Sequence, residues 1–464
     1  MPPYRRHMKV IKPNKLQTDG AFSRASSATY TDLNGILRYA AVNEPRFQFI
    51  DSVYKGLLKE SSGTNLLPWS YTPDSSNSSG FWSLQGSMQR VGLSTGVDAS
   101  TNSAVDYKGT TSTASVRGSV PLSVGTFCLS VFAKRVSSSA FSGNILSITC
   151  KHADGSDFKQ SLSASSVGVT WKRYSLVVSN ELLSTCTVDL AENLGADTEV
   201  QLSCVQVESG TLSSYIKTIN ASTASRAADV ISGAGLLWTN AVNTDPDWVS
   251  STNYAVGAIV TYAGSVYESI KTPNTAVTPG SNDTYWLYRY PDNKHAAFDS
   301  SVSTSTKATE YVDFLLKPGQ ADSLAILEVD GADVVYYSIL DPSTGNILFE
   351  GTSGLSGVVI SNWYDYFTAD LTAPPRRQIM KYGIPKGFPD MLLSIRVKGQ
   401  SATQVSVGLI SIGILQEIGD TQYGASSGIT DYSVKSADDY GNITLVERPY
   451  RREDRKSTRL NSSH

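Results

Sequence analysis

The chain has 464 residues, 40% of them hydrophobic and only 17% charged, against roughly 25% charged in ordinary globular domains. Lysine plus arginine number 39 and aspartate plus glutamate 42, a net charge of −3, which offers no basic footprint for nucleic acid or an anionic membrane surface. Polarity comes instead from Ser, Thr, Asn and 36 Gly, with 24 Tyr; this suits strands and turns better than long helices, and the length predicts about three domains.

In chain order, residues 1–13 (MPPYRRHMKVIKP) are basic but carry no apolar stretch of signal-peptide length. Residues 405–415 are the most apolar run, too short for a membrane span and broken by two glycines. Synthesis in a cytoplasm, with no membrane insertion, is therefore expected. Asp32-Leu33-Asn34-Gly35 lies between the β-prone runs 28–30 and 36–38, a hairpin signal. From about residue 65 to 230 strands recur, as at 126–134 (TFCLSVFAK), 144–151, 170–178 and 199–207, separated by Ser/Gly-rich loops. That pattern predicts an antiparallel sandwich. Cys128, Cys150, Cys186 and Cys204 fall within these runs with no metal-ligand spacing and read as buried free thiols.

Composition shifts after Asp229, and Gly233-Ala234-Gly235 reads as a linker. A small aromatic-rich unit follows at 248–288, and strands resume from 291 to 454, with a turn at Asp341-Pro342-Ser343-Thr344-Gly345. The fold class is therefore all-β: tandem antiparallel, jelly-roll-like sandwiches with a small β module between them. The divisions expected are an N-terminal hairpin segment at 1–62, a jelly-roll at 63–232, the small module at 236–290 and a C-terminal sandwich at 291–454. Residues 455–464 (RKSTRLNSSH) resemble translated sequencing-adapter read-through and are set apart.

Catalytic constellations are sparse. The four histidines form no ligand pair, and no GxSxG, GxGxxG or P-loop pattern occurs. Asp330/Asp333 and Asp438/Asp439 sit in turn-like contexts and read as solvated turn acids, and the short regular repeat of a β-helical depolymerase is missing. No enzyme activity is expected. Aromatic rings offer other chemistry, since apolar sugar faces stack on Trp and Tyr while hydroxyls bond to nearby polar groups. Tyr71 and Trp82 lie in or beside a polar loop, Trp82 reading either as a packing residue or as a binding ring. Trp248, Tyr254, Tyr262, Tyr267 and Trp286 are too many for one tiny core, so at least one is expected at the surface.

The phrases FSRASSATYTDLNGILRYAAVNEPRF and GLLKESSGTNLL, with the closing EVQLSCVQVE, Ser214-Tyr215-Ile216 and Ser225–Asp229 (SRAAD), resemble those that flank a carbohydrate-binding jelly-roll in bacteriophage tail proteins. Trp248, Tyr254, Gly257, Val260, Gly264, Tyr267 and Trp286 fall on the pattern of the small chitin- and cellulose-binding module of chitinases. After Tyr267 the chain departs from it, with TPNTAVTP where sugar-binding members carry further aromatics, which leaves a spacer or a different glycan as alternatives. Residues 363–367 (WYDYF) and 418–448 are similar to segments of phage tail and baseplate-associated proteins.

These resemblances imply a virion tail component, fibre- or baseplate-type, assembled in the host cytoplasm. It would bind host-surface polysaccharide non-catalytically through Trp82, Tyr71, Trp248, Tyr254, Tyr267 and Trp286, as a homo-oligomer among other tail proteins and without nucleic acid. A ligand-free structural spacer and a polysaccharide-degrading tail enzyme are the alternatives. No cofactor is expected. A structural Ca²⁺ is left open, because such jelly-rolls often carry one while no dense Asp/Asn loop assigns its ligands.

Overall fold

The computed structural model describes residues 7–455 except 15, 17–18, 77, 137–140, 300, 302, 344–345, 356–362, 369–375, 386–389, 421–425, 432–433, 438–442 and 447–449. Asp438, Asp439 and the adapter-like residues 456–464 lie outside the described residues. The architecture is all-β, built from antiparallel sheets, with one six-residue α-helix among the described residues, at Trp363–Thr368.

The jelly-roll expectation is met by two layers that share strands. The long strand Ala104–Leu122 pairs through its first part (105–109) with Thr198–Ser209, and through its last part (116–122) with Ser184–Glu192. Ser83–Ser94 follows it from one layer to the other. Asn144–Lys151 and Asp157–Ser163 extend the layer of Ser184–Glu192, and Gly125–Arg135 and Lys172–Asn180 that of Thr198–Ser209. Along 116–122 the period of two is plain: Val116, Val120 and Leu122 are buried while Arg117, Ser119 and Pro121 are exposed. Strand Gly125–Arg135 shows no such alternation, because both of its faces are covered. Phe127, Leu129, Val131 and Ala133 enter the sandwich core, while Phe132 packs with Leu37, Val97, Cys204 and Tyr215. All four cysteines are buried and free.

The hairpin at Asp32–Gly35 forms as expected between Ala28–Thr31 and Leu37–Ala40. Gly35 adopts φ +75°, the left-handed conformation glycine tolerates, and the Asp32 carboxylate accepts the amides of Asn34 and Ile36. Beyond this turn, residues 1–62 distribute themselves over the other units. His7–Pro13 pairs with the C-terminal strand Gln404–Asp420. Phe22, Phe47, Phe49, Tyr54 and Leu57 share a core with Leu237, Leu315, Leu340 and Leu392.

Gly233-Ala234-Gly235 does not act as a free linker. Val230–Ser232 pairs with Ala21–Ser23, and a Cβ on Gly233 would collide with Gly20 of the crossing strand. Gly235–Thr239 then joins Tyr311–Lys317, which corrects the expected module limit of 236: these residues belong to the sheet of the following sandwich. A five-residue apolar strand carries no local mark of which distant sheet it completes.

The C-terminal sandwich has two five-stranded layers. One runs Gly235–Thr239, Tyr311–Lys317, Leu392–Lys398, Val334–Leu340, Ile347–Gly354. The other runs His7–Pro13, Gln404–Asp420, Ser323–Asp330, Ile379–Tyr382, with Thr306–Thr309 also on Gln404–Asp420. Phe314, Leu316, Ile326, Ile395 and Val407 fill the space between them. Asp330 and Asp333 are exposed around Gly331, as turn acids should be.

The phrases that carry the phage-tail resemblance converge on one buried charge cluster. Arg46 donates to Glu60 (2.6 Å), Asp229 (2.6 Å) and the Ser214 hydroxyl (2.7 Å). Arg24 donates to Asp229 at 3.1 Å and Arg226 to Ser214 at 2.8 Å. The side chains of Arg24, Arg46 and Asp229 are 0% exposed. Burial alone would raise the Glu60 carboxyl, but Arg46 and Arg226 hold it below its ordinary value. Removing one member strands its buried partners without a counter-charge. Asp229→Ala should therefore destabilise the fold by about 3–5 kcal/mol, seen as a lowered urea midpoint; an unchanged midpoint would show the cluster to be dispensable.

Candidate functional site: tyrosines of the small module and the adjoining clefts

The small module is a three-stranded sheet, Ile259–Tyr262, Ser265–Ser269 and Trp286–Pro291. Its core is built on Trp286, 2% exposed beside Val260 and Val266. The Trp286 indole N–H donates to Val277 O at 2.7 Å, and its ring meets Tyr254 edge-on at 5.3 Å. Trp286 therefore packs and presents no face to a sugar. Tyr254 is half-buried, its hydroxyl accepting the Val249 amide at 2.7 Å. Trp248 is half-buried against Tyr262, at 5.3 Å.

Trp82 corrects in the same direction. It is 1% exposed, its N–H donates to Trp69 O at 3.0 Å, and it belongs to the jelly-roll core. The polar loop before it suggested access, but the chain turns inward at this point and Trp82 becomes one of the largest fully buried side chains. Tyr71 is half-buried. Its hydroxyl donates to Asp98 at 2.5 Å, and Lys217 Nζ lies 3.4 Å from its ring centroid. Burial, with the Asp98 hydrogen bond, pushes its phenol up to about 12.

Of the predicted rings in the small module, Tyr267 is the one that meets an exposed ring. It is half-buried and meets Tyr288 across the sheet, at 6.0 Å and 77°. Tyr288 is 53% exposed and Tyr290, on the same strand, 46%. The sequence reading missed both, although WLYRY within a polar context was a usable signal. A register shift at Val266/Tyr267 sets Tyr288 opposite Tyr267 and Tyr290 opposite Val266. Also missed were Trp363, Tyr366 and Phe367, three exposed rings packed on one another in the short helix.

Two clefts lie between this module and its surroundings. One, of about 650 Å³, is bounded by Tyr290 and Asp245 on one side and by Thr304, Lys307 and Gln404 of the C-terminal unit on the other. The second, about 500 Å³, is bounded by Trp248, Tyr262, Lys294, Asp247, Asp19 and His295. Both volumes fall in the range of small-molecule sites. Asn243 and Asp292 line both. The His295 ring bridges Asp292 (Nδ1, 2.6 Å) and Asp19 (Nε2, 2.7 Å). Two carboxylate acceptors on one ring are served together only by the imidazolium. Among the described residues no group of three or more His, Cys, Asp or Glu is placed to hold a metal ion, and no helix is long and apolar enough to cross a membrane.

No protein-family profile matches the chain, and no curated protein matches it. Solved structures do. The CBM22-1 xylan-binding domain of Xyn10C from Paenibacillus barcinonensis is 17% identical over 33% of this chain and 99% of its own, with a TM-score of 0.27. The CBM22-1-CBM22-2 tandem domain of the same protein is 11% identical over 76% of this chain and 98% of its own, with a TM-score of 0.26. The enzymatically active domain of tailspike protein 4 of bacteriophage CBA120 is 15% identical over 31% of this chain and 21% of its own, with a TM-score of 0.24.

Burial disfavours the His295 cation, but the hydrogen bonds to Asp292 and Asp19 outweigh it and raise the imidazole above its ordinary value. A raised folded-state value contributes stability that is complete below the unfolded value of about 6.5 and is lost as pH rises through the folded one. The Asp19–His295 tie should thus weaken on the alkaline side, and Asp19→Asn should lower the His295 titration midpoint in an NMR ring-proton experiment. An unmoved midpoint would exclude Asp19 as a cause. Trp82→Ala should cost about 3–5 kcal/mol through the cavity it leaves, whereas Tyr288→Ala at the surface should stay within about 0.5 kcal/mol, both read by denaturant unfolding.

Proposed function

We propose that this chain is a non-catalytic glycan-binding protein of the bacteriophage tail type, a structural component that presents its β modules to host-surface polysaccharide. The observation that carries the glycan reading is the tyrosine surface of the small module: Tyr288 and Tyr290 exposed on one strand, with Tyr267 against Tyr288. Phenol rings combine a flat apolar face with a hydroxyl able to bond a sugar. The polar cleft beside Tyr290 supplies amide, hydroxyl and carboxylate partners. The tail reading is supported by the flanking phrases of the jelly-roll, whose Arg24, Arg46, Glu60, Ser214, Arg226 and Asp229 act together as one structural unit.

Such open surfaces bind weakly one at a time, so several copies on one particle would act by avidity; homo-oligomerisation, assembly in the host cytoplasm with other tail proteins, and residence in the virion belong to this proposal. The spacer reading gains from the burial of Trp82 and Trp286, which removes two candidate rings.

The test is a binding screen of the full chain against bacterial surface polysaccharides, chitin and peptidoglycan. Saturable binding to one of them, about ten-fold weaker in Tyr288→Ala (about 1.4 kcal/mol) and with no release of reducing ends, is the expected result. A folded sample that binds none of them would leave the spacer reading in place, and release of reducing ends would make the chain an enzyme.

A further inference from the structure

We propose that the cleft walled by Trp69 and Tyr71, at the edge of the jelly-roll, is a second glycan site, one that takes a single sugar ring such as a chain end or a branch. It rests on the glycan reading above and adds a distinct subsite to it. The cleft has a volume of about 200 Å³ and is bounded by Trp69, Tyr71, Thr72, Asp74, Asn102 and Ile219. That is below the 300–1,000 Å³ or so of sites for drug-sized ligands, and so suits one ring rather than an oligosaccharide.

The backbone at Trp69 is the informative feature. Its φ is +52°, a left-handed conformation that is a genuine outlier for a bulky side chain and is strained. Glycine or asparagine would hold the same turn at less cost. The turn itself is fixed by the Trp69 amide donating to Asn220 O (3.0 Å) and the Trp69 carbonyl accepting from the Trp82 indole (3.0 Å), so it does not need this ring. Nor does the core account for the ring fully, since Trp69 is only partly buried against the sandwich interior. What remains is a flat indole face held at the cleft by a backbone that resists rearrangement.

Tyr71 stands at the second wall in a fixed pose. Asp98 holds its hydroxyl, and Lys217, which does not line the cleft, occupies one face of the ring. Hydrogen-bonding groups sit around the aromatic pair. Asp74 is 3% exposed and its oxygens are already engaged, Oδ1 by the Ser76 amide and hydroxyl and by Arg90 and Oδ2 by Arg90, so it shapes the cleft wall rather than meeting the sugar directly. The Asn102 amide is exposed at the rim and has no partner among the described residues. Ile219, 62% exposed, offers an apolar contact for the C–H face of a ring. Aromatic and aliphatic walls with a free amide at the rim are the kind of surface on which a pyranose ring is recognised.

The experiment uses the full chain and the methyl glycosides of glucose, galactose, mannose and N-acetylglucosamine as probes, in saturation-transfer NMR. At least one glycoside should bind. Trp69→Ala should abolish that binding, Asn102→Gly should weaken it several-fold, and Tyr288→Ala should leave it unchanged. Asn102 already has φ +60°, which glycine accepts, so this variant decides the matter if Trp69→Ala fails to fold. Polysaccharide binding without binding of any glycoside, or glycoside binding that survives Asn102→Gly and Trp69→Ala or falls with Tyr288→Ala, overturns the subsite and leaves the general reading standing. Failure to bind either polysaccharide or glycoside overturns both.

Discussion

The Arg46 guanidinium, 0% exposed between Glu60 and Asp229, is the contact on which the arrangement of this chain depends. Its neighbours come from four places in the sequence: the opening segment, the entry to the jelly-roll, the jelly-roll's exit at Ser214, and the strand leading onward at Arg226 and Asp229. Desolvating so many charges is costly unless each finds partners of good geometry. Each arginine here finds carboxylate, hydroxyl or carbonyl acceptors, although Arg46 Nε and Arg226 Nε remain without one among the described residues. Such a cluster contributes less to net stability than to uniqueness of assembly: any misplacement of the opening segment would leave a buried charge alone.

A second tie of similar construction fixes the same segment to the C-terminal sandwich. Arg396 pairs with Asp313 through two bonds of 2.7 Å and lies over Phe47, Phe49 and Tyr311. Lys55 reaches Glu350 at 2.6 Å. The opening segment thus serves as a wedge with one face in each large unit. His295, held between Asp292 and Asp19, adds a third tie beside the small module, and this one depends on proton occupancy. Under the proposed glycan-binding function, fixed placement of modules would limit the ordering cost of engaging several sites at once.

Burial removes two rings from the set expected at the surface. Trp82 and Trp286, two of the three tryptophans in the predicted set, organise cores, as large apolar surfaces do when a small unit must bury something. The proposed recognition sites rest instead on tyrosines at a strand surface and on Trp69, whose ring stays partly exposed beside the loop that buries Trp82. Both tryptophans of the jelly-roll edge are joined by one hydrogen bond, indole to carbonyl; the inner one anchors the turn that the outer one occupies.

Strand character, the Asp32–Gly35 hairpin, the buried cysteines and the all-β class were legible from local sequence, because side-chain alternation and turn chemistry act over a few residues. The Arg and Asp phrases were recognisable too, but only as a resemblance; that they form one cluster depends on contacts separated by as many as 205 positions. Tertiary structure alone decided which sheet Gly235–Thr239 completes, why Gly125–Arg135 loses its alternation, and which aromatics face solvent. The physical reason is common to all three. Periodicity tells a strand which faces it has, but whether a face is covered depends on what the rest of the chain lays against it, and that is set by long-range packing and charge pairing.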